Sequence, residues 1–180
     1  MPRSRLPLFA ILTLVAIVPA ARAQNNPAPS SGSADRLVGV WKTEPDGGDF
    51  AHVEVTRNGD IYSGKIVWLN HPDFPASEGP RWAGRAKVDR KNPDPSLRGR
   101  PIVGLEILRG FKYDGKDVWG GGTIYDPKKG KTYRCKITLE PDGTLFVRGF
   151  IGFSWLGRTT VWTPAHAPGP NGDSKANGER

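Results

Sequence analysis

Residue types that could do chemistry are few in this sequence, and their spacing is poor for it. Cys135 is the one cysteine, and His52, His71 and His166 are the histidines. A nucleophilic thiol needs a histidine or cation beside it and some exposure. Cys135 instead alternates with Tyr133 and Ile137, which predicts a buried, unreactive side chain. A lone cysteine also rules out an intrachain disulfide. The histidines show no His-x-x-x-His spacing, so no metal ligand is assigned. Gly130-Lys131-Thr132 ends like a phosphate loop, but Tyr125 stands where that loop needs its first glycine, and a strand pattern follows instead of a helix. Ser154 is no nucleophile elbow, because Leu156 occupies the position of the second glycine. Asp89, Asn92 and Asp94 are oxygen ligands in type, yet their spacing is not that of a calcium loop. They read better as turn-forming side chains in a proline-rich segment. No catalytic residue is assigned, no cofactor is expected, and the chain reads as a non-enzyme.

The aromatic residues are the stronger lead. Six tryptophans are accompanied by Tyr62, Tyr125, Tyr133, Phe146 and Phe150. One reading is core packing. The other is a cavity lined by rings with a few polar groups, which suits one apolar or amphipathic ligand. Trp41, Tyr62, Trp68, Trp119 and Tyr133 are the candidate lining residues. Arg148, between Phe146 and Phe150 on its own face, is a candidate anchor for a carboxylate or phosphate head. If that face points outward, the arginine merely lies over exposed rings.

Strands must position these groups, since no segment repeats at helical period. Tyr133, Cys135, Ile137 and Leu139 alternate with charged and polar residues, as a half-buried strand does. Pro141-Asp142-Gly143 supplies a turn, and Leu145, Val147 and Ile151 alternate in the next strand. Arg158 to Trp162 returns after a turn at Phe153–Gly157. Trp119 to Tyr125 is a strand interrupted by Gly120-Gly121-Gly122, which predicts a bulge, a sharp bend, or another backbone or ring packed closely over them. Upstream, Leu37–Thr43, Phe50–Arg57 and Asp60–Leu69 form a meander, with Asn58-Gly59 as a type I′ hairpin signal. Ile102–Leu108 is a further strand. Between them, the prolines of Asn70–Pro101 exclude a central strand and predict a long loop. About eight strands joined mostly by tight turns predict an all-β fold, a small up-and-down antiparallel β-barrel. A two-sheet sandwich is the second architecture.

Met1–Ala23 has a basic start (Arg3, Arg5), an apolar stretch from Leu8 to Val18 and a small-x-small end at Ala21-Arg22-Ala23, the pattern of a secretory signal peptide. The apolar stretch is shorter than the ~20 residues needed to span a bilayer. Periplasmic or secreted localisation is therefore expected, with no stable membrane insertion. Removing the signal takes away three arginines and no acid, so the formal charge falls from +8 to +5. The remaining basic residues are scattered, which argues against nucleic acid as a partner but leaves acidic polysaccharide or anionic lipid headgroups open. Residues 24–36 are expected to be a disordered linker, 37–163 the barrel, and 164–180 a disordered tail.

Gly39-Val40-Trp41 on the first strand, with Arg158 near the last, is similar to the signature of lipocalin-type barrels. That resemblance implies a tryptophan near the closed end with the arginine packed across its ring, and it adds Arg158 to the candidate residues. A closer match lies in Asp89-x-x-Asn92-Pro93-Asp94-x-x-Leu97-Arg98-x-Arg100-Pro101, in Trp119-x-Gly121-Gly122-x-Ile124-Tyr125-Asp126-Pro127-x-x-Gly130, and in Arg148-Gly149-Phe150-Ile151-Gly152 with Leu156-Gly157-Arg158. Together these resemble a bacterial exported family called domain of unknown function 2147. The resemblance implies a signal-bearing, lipocalin-like barrel and no assigned activity.

The expected function is binding of a small hydrophobic or lipid-like molecule in the barrel. One rival is a filled barrel acting as an envelope structural or protein-interaction module. The other is an enzyme with a site at the 70–101 loop, around Asp89, Asn92 and Asp94. Oligomeric state is not legible.

Overall fold

A computed structural model describes residues 31–166. The expected signal peptide, the first part of the expected linker and most of the expected tail lie outside the described residues.

Eight antiparallel strands form a closed barrel in sequence order. They are β1 (Gly39–Lys42), β2 (Ala51–Asn58), β3 (Ile61–Leu69), β4 (Glu106–Gly115), β5 (Val118–Asp126), β6 (Lys131–Leu139), β7 (Leu145–Phe150) and β8 (Gly157–Ala165). Closure comes from β1 pairing with β8, Val40 opposite Ala165 and Lys42 opposite Thr163. The last strand thus runs two residues past the expected boundary, taking in Pro164 and Ala165. Proline is tolerated because β1 is short and demands few donors here. Where β1 has ended, Glu44 Oε2 takes over and accepts the Val161 N–H at 2.9 Å.

The two ends of the barrel differ. Three tight turns, 58–61, 115–118 and 139–145, share one end, and the 43–50, 70–105, 126–131 and 151–156 connections share the other. The tight-turn end is plugged. Residues 31–36 of the expected linker are ordered in part: Ser31–Ala34 is a helical turn and Asp35–Leu37 a 3-10 turn. Leu37 and Ala34 drop into the barrel base and are buried. Arg57 Nη1 donates to Asp35 Oδ1 and Arg36 Nη1 to Asp117 Oδ2, both at 2.7 Å, latching the segment to two turns.

Turn chemistry accounts for most of the connections. Gly59 has φ of 62° and is the first loop residue between β2 and β3. Asn58 is the last strand residue, so the hairpin follows the type II′ pattern and not the expected type I′. Between β4 and β5, Lys116 and Asp117 both take positive φ, 53° and 57°. Non-glycine residues rarely do so; here the Tyr113 hydroxyl accepts from the Asp117 N–H and Arg36 holds the Asp117 carboxylate.

The glycine run in β5 is explained by a ring. A Cβ on Gly122 would lie 2.5 Å from the Phe111 side chain, which packs flat over the bulge between Trp119 and Gly122. Strand β4 starts at Glu106, later than the expected Ile102. Gly104, at φ of 92°, turns the chain first, although its N–H still reaches the Ile66 carbonyl at 2.7 Å.

Candidate functional site

Inward-facing residues change in size along the barrel axis. Near the plugged end stand Trp41, Tyr62, Phe111, Trp119, Ile137 and Leu145, all buried in one contiguous core. Tyr62 and Trp119 meet edge to face with centroids 6.2 Å apart, and Trp41 donates its indole N–H to the Leu37 carbonyl at 2.9 Å. Toward the other end the inward positions are Ala51, Ile66, Ile107, Ile124, Tyr133, Gly149 and Thr160. Apart from Tyr133, these fill less space than indoles and phenols, and the result is a cavity of about 1230 Å³ that opens to solvent. Trp162 forms its floor, with its indole N–H donating to Thr160 Oγ1 at 3.1 Å.

The walls are apolar in depth and charged at the rim. Asp49 sits at that rim with Lys87 at 3.3 Å, His71 at 3.1 Å and Lys128 at 3.4 Å. Burial pushes its carboxyl pKa up, but the His71 hydrogen bond and the two lysines outweigh this and hold it below the ordinary carboxylate value. Lys129 and Asp126 pair within the β5–β6 turn, beside Lys128. Lys91 and Arg158 also line the opening.

The long 70–105 connection is a small folded unit beside the mouth. Phe74 packs edge-on against Trp82 at 5.2 Å, and the Arg90 guanidinium lies over both rings while bonding Glu78 at 2.7 Å. Its centre is Asp89, whose side chain is completely buried. Asp89 Oδ1 accepts the Tyr125 hydroxyl at 2.6 Å, and Oδ2 accepts from Asn92 at 2.7 Å and from Arg100 at 3.0 Å. Burial and then the hydrogen bond to Asp89 push the Tyr125 phenol up to about 12. Asn92 Oδ1 in turn accepts the Asp94 N–H, and Asp94 Oδ1 accepts the Ser96 N–H. Asp89 and Asn92 therefore tie the loop to β5, and Asp94 caps a short 3-10 turn. A Cβ on Gly130 would collide with the Lys91 carbonyl, so the β5–β6 turn docks against the same unit.

The seven residues singled out from sequence go to different places. Tyr133 and Arg158 line the cavity. Trp41, Tyr62 and Trp119 fill the plugged half. Trp68 lies outside the cavity in a ring cluster with His52, 4.7 Å away, and Phe50, 5.6 Å away. Arg148 points outward and clamps the β7–β8 loop, donating to the Ser154 and Trp155 carbonyls at 2.6 and 3.1 Å and to Thr159 Oγ1 at 2.9 Å. It reaches no cavity, so it is not the polar anchor considered above.

Arg158 does not pack on Trp41 either. Trp41 pairs with Pro164, six residues along β8 from Arg158, which is about 20 Å of extended chain. At the plugged end it is Arg57 that lies over a ring, 5.5 Å from the centroid of Tyr62. Cys135 is buried, and burial pushes its thiol up to about 12. Among the described residues no group of histidine, cysteine and acidic side chains is arranged to hold a metal ion.

Sequence reasoning missed the aliphatic lining, Ile66, Ile107 and Ile124. Their alternation was visible, but aliphatic residues carry no mark that separates a packed wall from a hollow one. The Tyr125–Asp89 contact was also missed, because the partners are 36 residues apart.

A closed eight-stranded barrel with one plugged end, one open end and an apolar interior is a lipocalin-like barrel. A solved structure described as "Protein HP1028 from the human pathogen Helicobacter pylori belongs to the lipocalin family" is similar to it, with a TM-score of 0.60 and 24% identity over 72% of this chain and 82% of that one. Residues 39–164 match the family described as "Uncharacterized protein conserved in bacteria (DUF2147)", and the chain belongs to that family. No protein with a curated description matches the sequence.

Proposed function

We propose that this is an exported binding protein that holds one small hydrophobic or lipid-like molecule in the open half of its barrel. The observation that carries this reading is the cavity of about 1230 Å³, apolar in depth and open at the 70–105 end. Ligand sites of this kind are commonly ~300–1,000 Å³, apolar with a few polar groups, so the space suits a molecule of fatty-acid size or somewhat larger. The solid base closes the barrel beneath it. Charged pairs at the rim suit a ligand whose polar end stays near water. Export rests on the Met1–Ala23 pattern.

The filled-barrel rival is disfavoured by the same cavity. The enzyme rival has lost its nominated groups to structural work, since Asp89 is enclosed by three side-chain donors.

Binding is tested with cis-parinaric acid, an aliphatic polyene whose fluorescence rises in apolar sites, and by native mass spectrometry of the purified protein. Saturable binding near one molecule per chain is expected. Replacing Gly149 by Phe and Ile66 by Trp places two rings in the lumen and should weaken uptake at least tenfold while the melting temperature holds. No saturable signal from the parent protein, or undiminished uptake by the folded double variant, would overturn the reading.

A further inference from the structure

The connection between β7 and β8, residues 151–156, exposes an apolar surface that nothing in the barrel covers. Ile151, Phe153, Trp155 and Leu156 are 66%, 72%, 74% and 59% exposed. Large apolar side chains grouped this way on a soluble surface mark an interaction site. The loop is not loose. Phe153 and Trp155 stack with centroids 6.2 Å apart and planes 10° from parallel. The Leu156 N–H bonds the Phe153 carbonyl at 3.0 Å, and Arg148 takes the carbonyls of Ser154 and Trp155. The polar backbone of the tip is therefore largely satisfied from within, while the rings are held outward.

Charge around this tip is one-sided. From Lys131 to Thr163 the chain carries Lys131, Arg134, Lys136, Arg148 and Arg158, and its only acids, Glu140 and Asp142, lie in the β6–β7 turn at the far, plugged end. None of the five cations is among the ion pairs of the described residues. Arg134 pairs across the sheet with Phe150, and Lys136 with Arg148, so they flank the loop on the outer face. Of the acids on neighbouring strands and loops, Asp126 stands opposite Lys131 and is already paired with Lys129, and Glu44 accepts the Val161 N–H.

We infer that the 151–156 loop is a docking foot for an anionic lipid bilayer, with Phe153 and Trp155 entering the headgroup region and Arg134, Lys136 and Arg158 facing the lipid phosphates. Tryptophan and phenylalanine beside unpaired cations are the side chains that settle at such an interface. The contact is peripheral, and no helix among the described residues is long and apolar enough to cross a membrane. Ile151 and Leu156 also line the cavity mouth, so docking turns the opening toward the lipid. The inference goes beyond ligand binding and does not need it. A protein that docks but takes up no cis-parinaric acid loses the cavity reading and keeps this one.

The test reads the loop itself in the full chain. A Ser154→Cys variant is labelled with an environment-sensitive nitrobenzoxadiazole thiol reagent, and a Pro141→Cys variant at the plugged end serves as control. Cys135 is 2% exposed and does not compete for label in the folded protein. With vesicles of equal phosphatidylglycerol and phosphatidylcholine, the label at 154 should shift to the blue and the label at 141 should not. Pure phosphatidylcholine or high salt should weaken the shift. Exchanging Phe153 and Trp155 for Ser in the labelled protein should reduce partitioning at least tenfold, and Lys136→Gln roughly fivefold. No shift at 154, equal shifts at both sites, or a shift that survives the Phe153/Trp155 exchange would overturn the inference. So would a shift that grows with protein concentration in the absence of lipid, accompanied by dimers in sedimentation, because a second copy would then be the occupant.

Discussion

The two halves of the barrel are built from the same eight strands, yet one is solid and the other hollow. In the solid half, inward positions carry Trp119, Tyr62, Phe111 and Trp41, and the chain adds Leu37 from outside the sheet. In the hollow half they carry Ala51, Gly149, Thr160 and isoleucines. The backbone does not distinguish the halves; side-chain volume does. The difference also separates two kinds of constraint. A packed interior resists any loss of atoms, because its neighbours cannot follow the gap. A wall that already faces space tolerates loss, and added volume there takes up ligand space before it costs stability.

Truncation in the solid half should have the largest effect. Trp119→Ala, at a fully buried position, is expected to cost about 3–5 kcal/mol, and Ile137→Ala about 2–5 kcal/mol, read from denaturant midpoints. Ile124 lines the hollow half and is only partly buried, so Ile124→Ala should cost about 1 kcal/mol, close to its transfer term alone. Equal losses at Ile137 and Ile124 would mean that the hollow half is filled in solution.

Next in size is the tie between the loop and β5. Asp89→Ala removes the acceptor of three side chains and should cost about 2–3 kcal/mol. The loss should fall on residues 70–105 first, as faster amide hydrogen exchange there with the barrel amides still protected. Global unfolding instead would make the loop part of the barrel's own cooperative unit.

Tyr125→Phe removes one of those bonds and should cost about 1.5 kcal/mol at neutral pH. It should also change the alkaline limb. The folded phenol stays protonated up to about 12, whereas an unfolded tyrosine ionises near 10. The stabilisation is therefore complete below pH 10 and is lost as pH rises from 10 to 12, because there the unfolded chain has released a proton that the folded chain keeps. The variant should lack this tyrosine's share of the decline between pH 10 and 12.

The smallest effect is expected at Arg148→Gln. It frees the carbonyls of an exposed loop and should change global stability by less than about 1 kcal/mol. Exchange at residues 151–156 should still rise, since the clamp is local.

What sequence alone determined about this protein is the set of strands, most of their faces and the chemistry of their turns. Period-two alternation reports which side chains share a face, and Gly130 and Gly143 mark turns that need positive φ. The ring over Gly122 was anticipated in kind from the three consecutive glycines. Tertiary structure decided the rest. Alternation alone puts Trp119 and Ile124, five residues apart, on opposite faces; the bulge between Trp119 and Gly122 turns both inward, and nothing local gives their height on the barrel axis or how much space faces them. Register and closure placed Arg158 at the open mouth and Trp41 near the base, parting two residues that the resemblance to lipocalin-type barrels put in contact. Long-range pairing gave Asp89 its phenol and turned Arg148 to the outer face. A cavity is the volume left between chains distant in sequence, so no local pattern encodes it. It is set by which small residues meet across the lumen once all eight strands have closed.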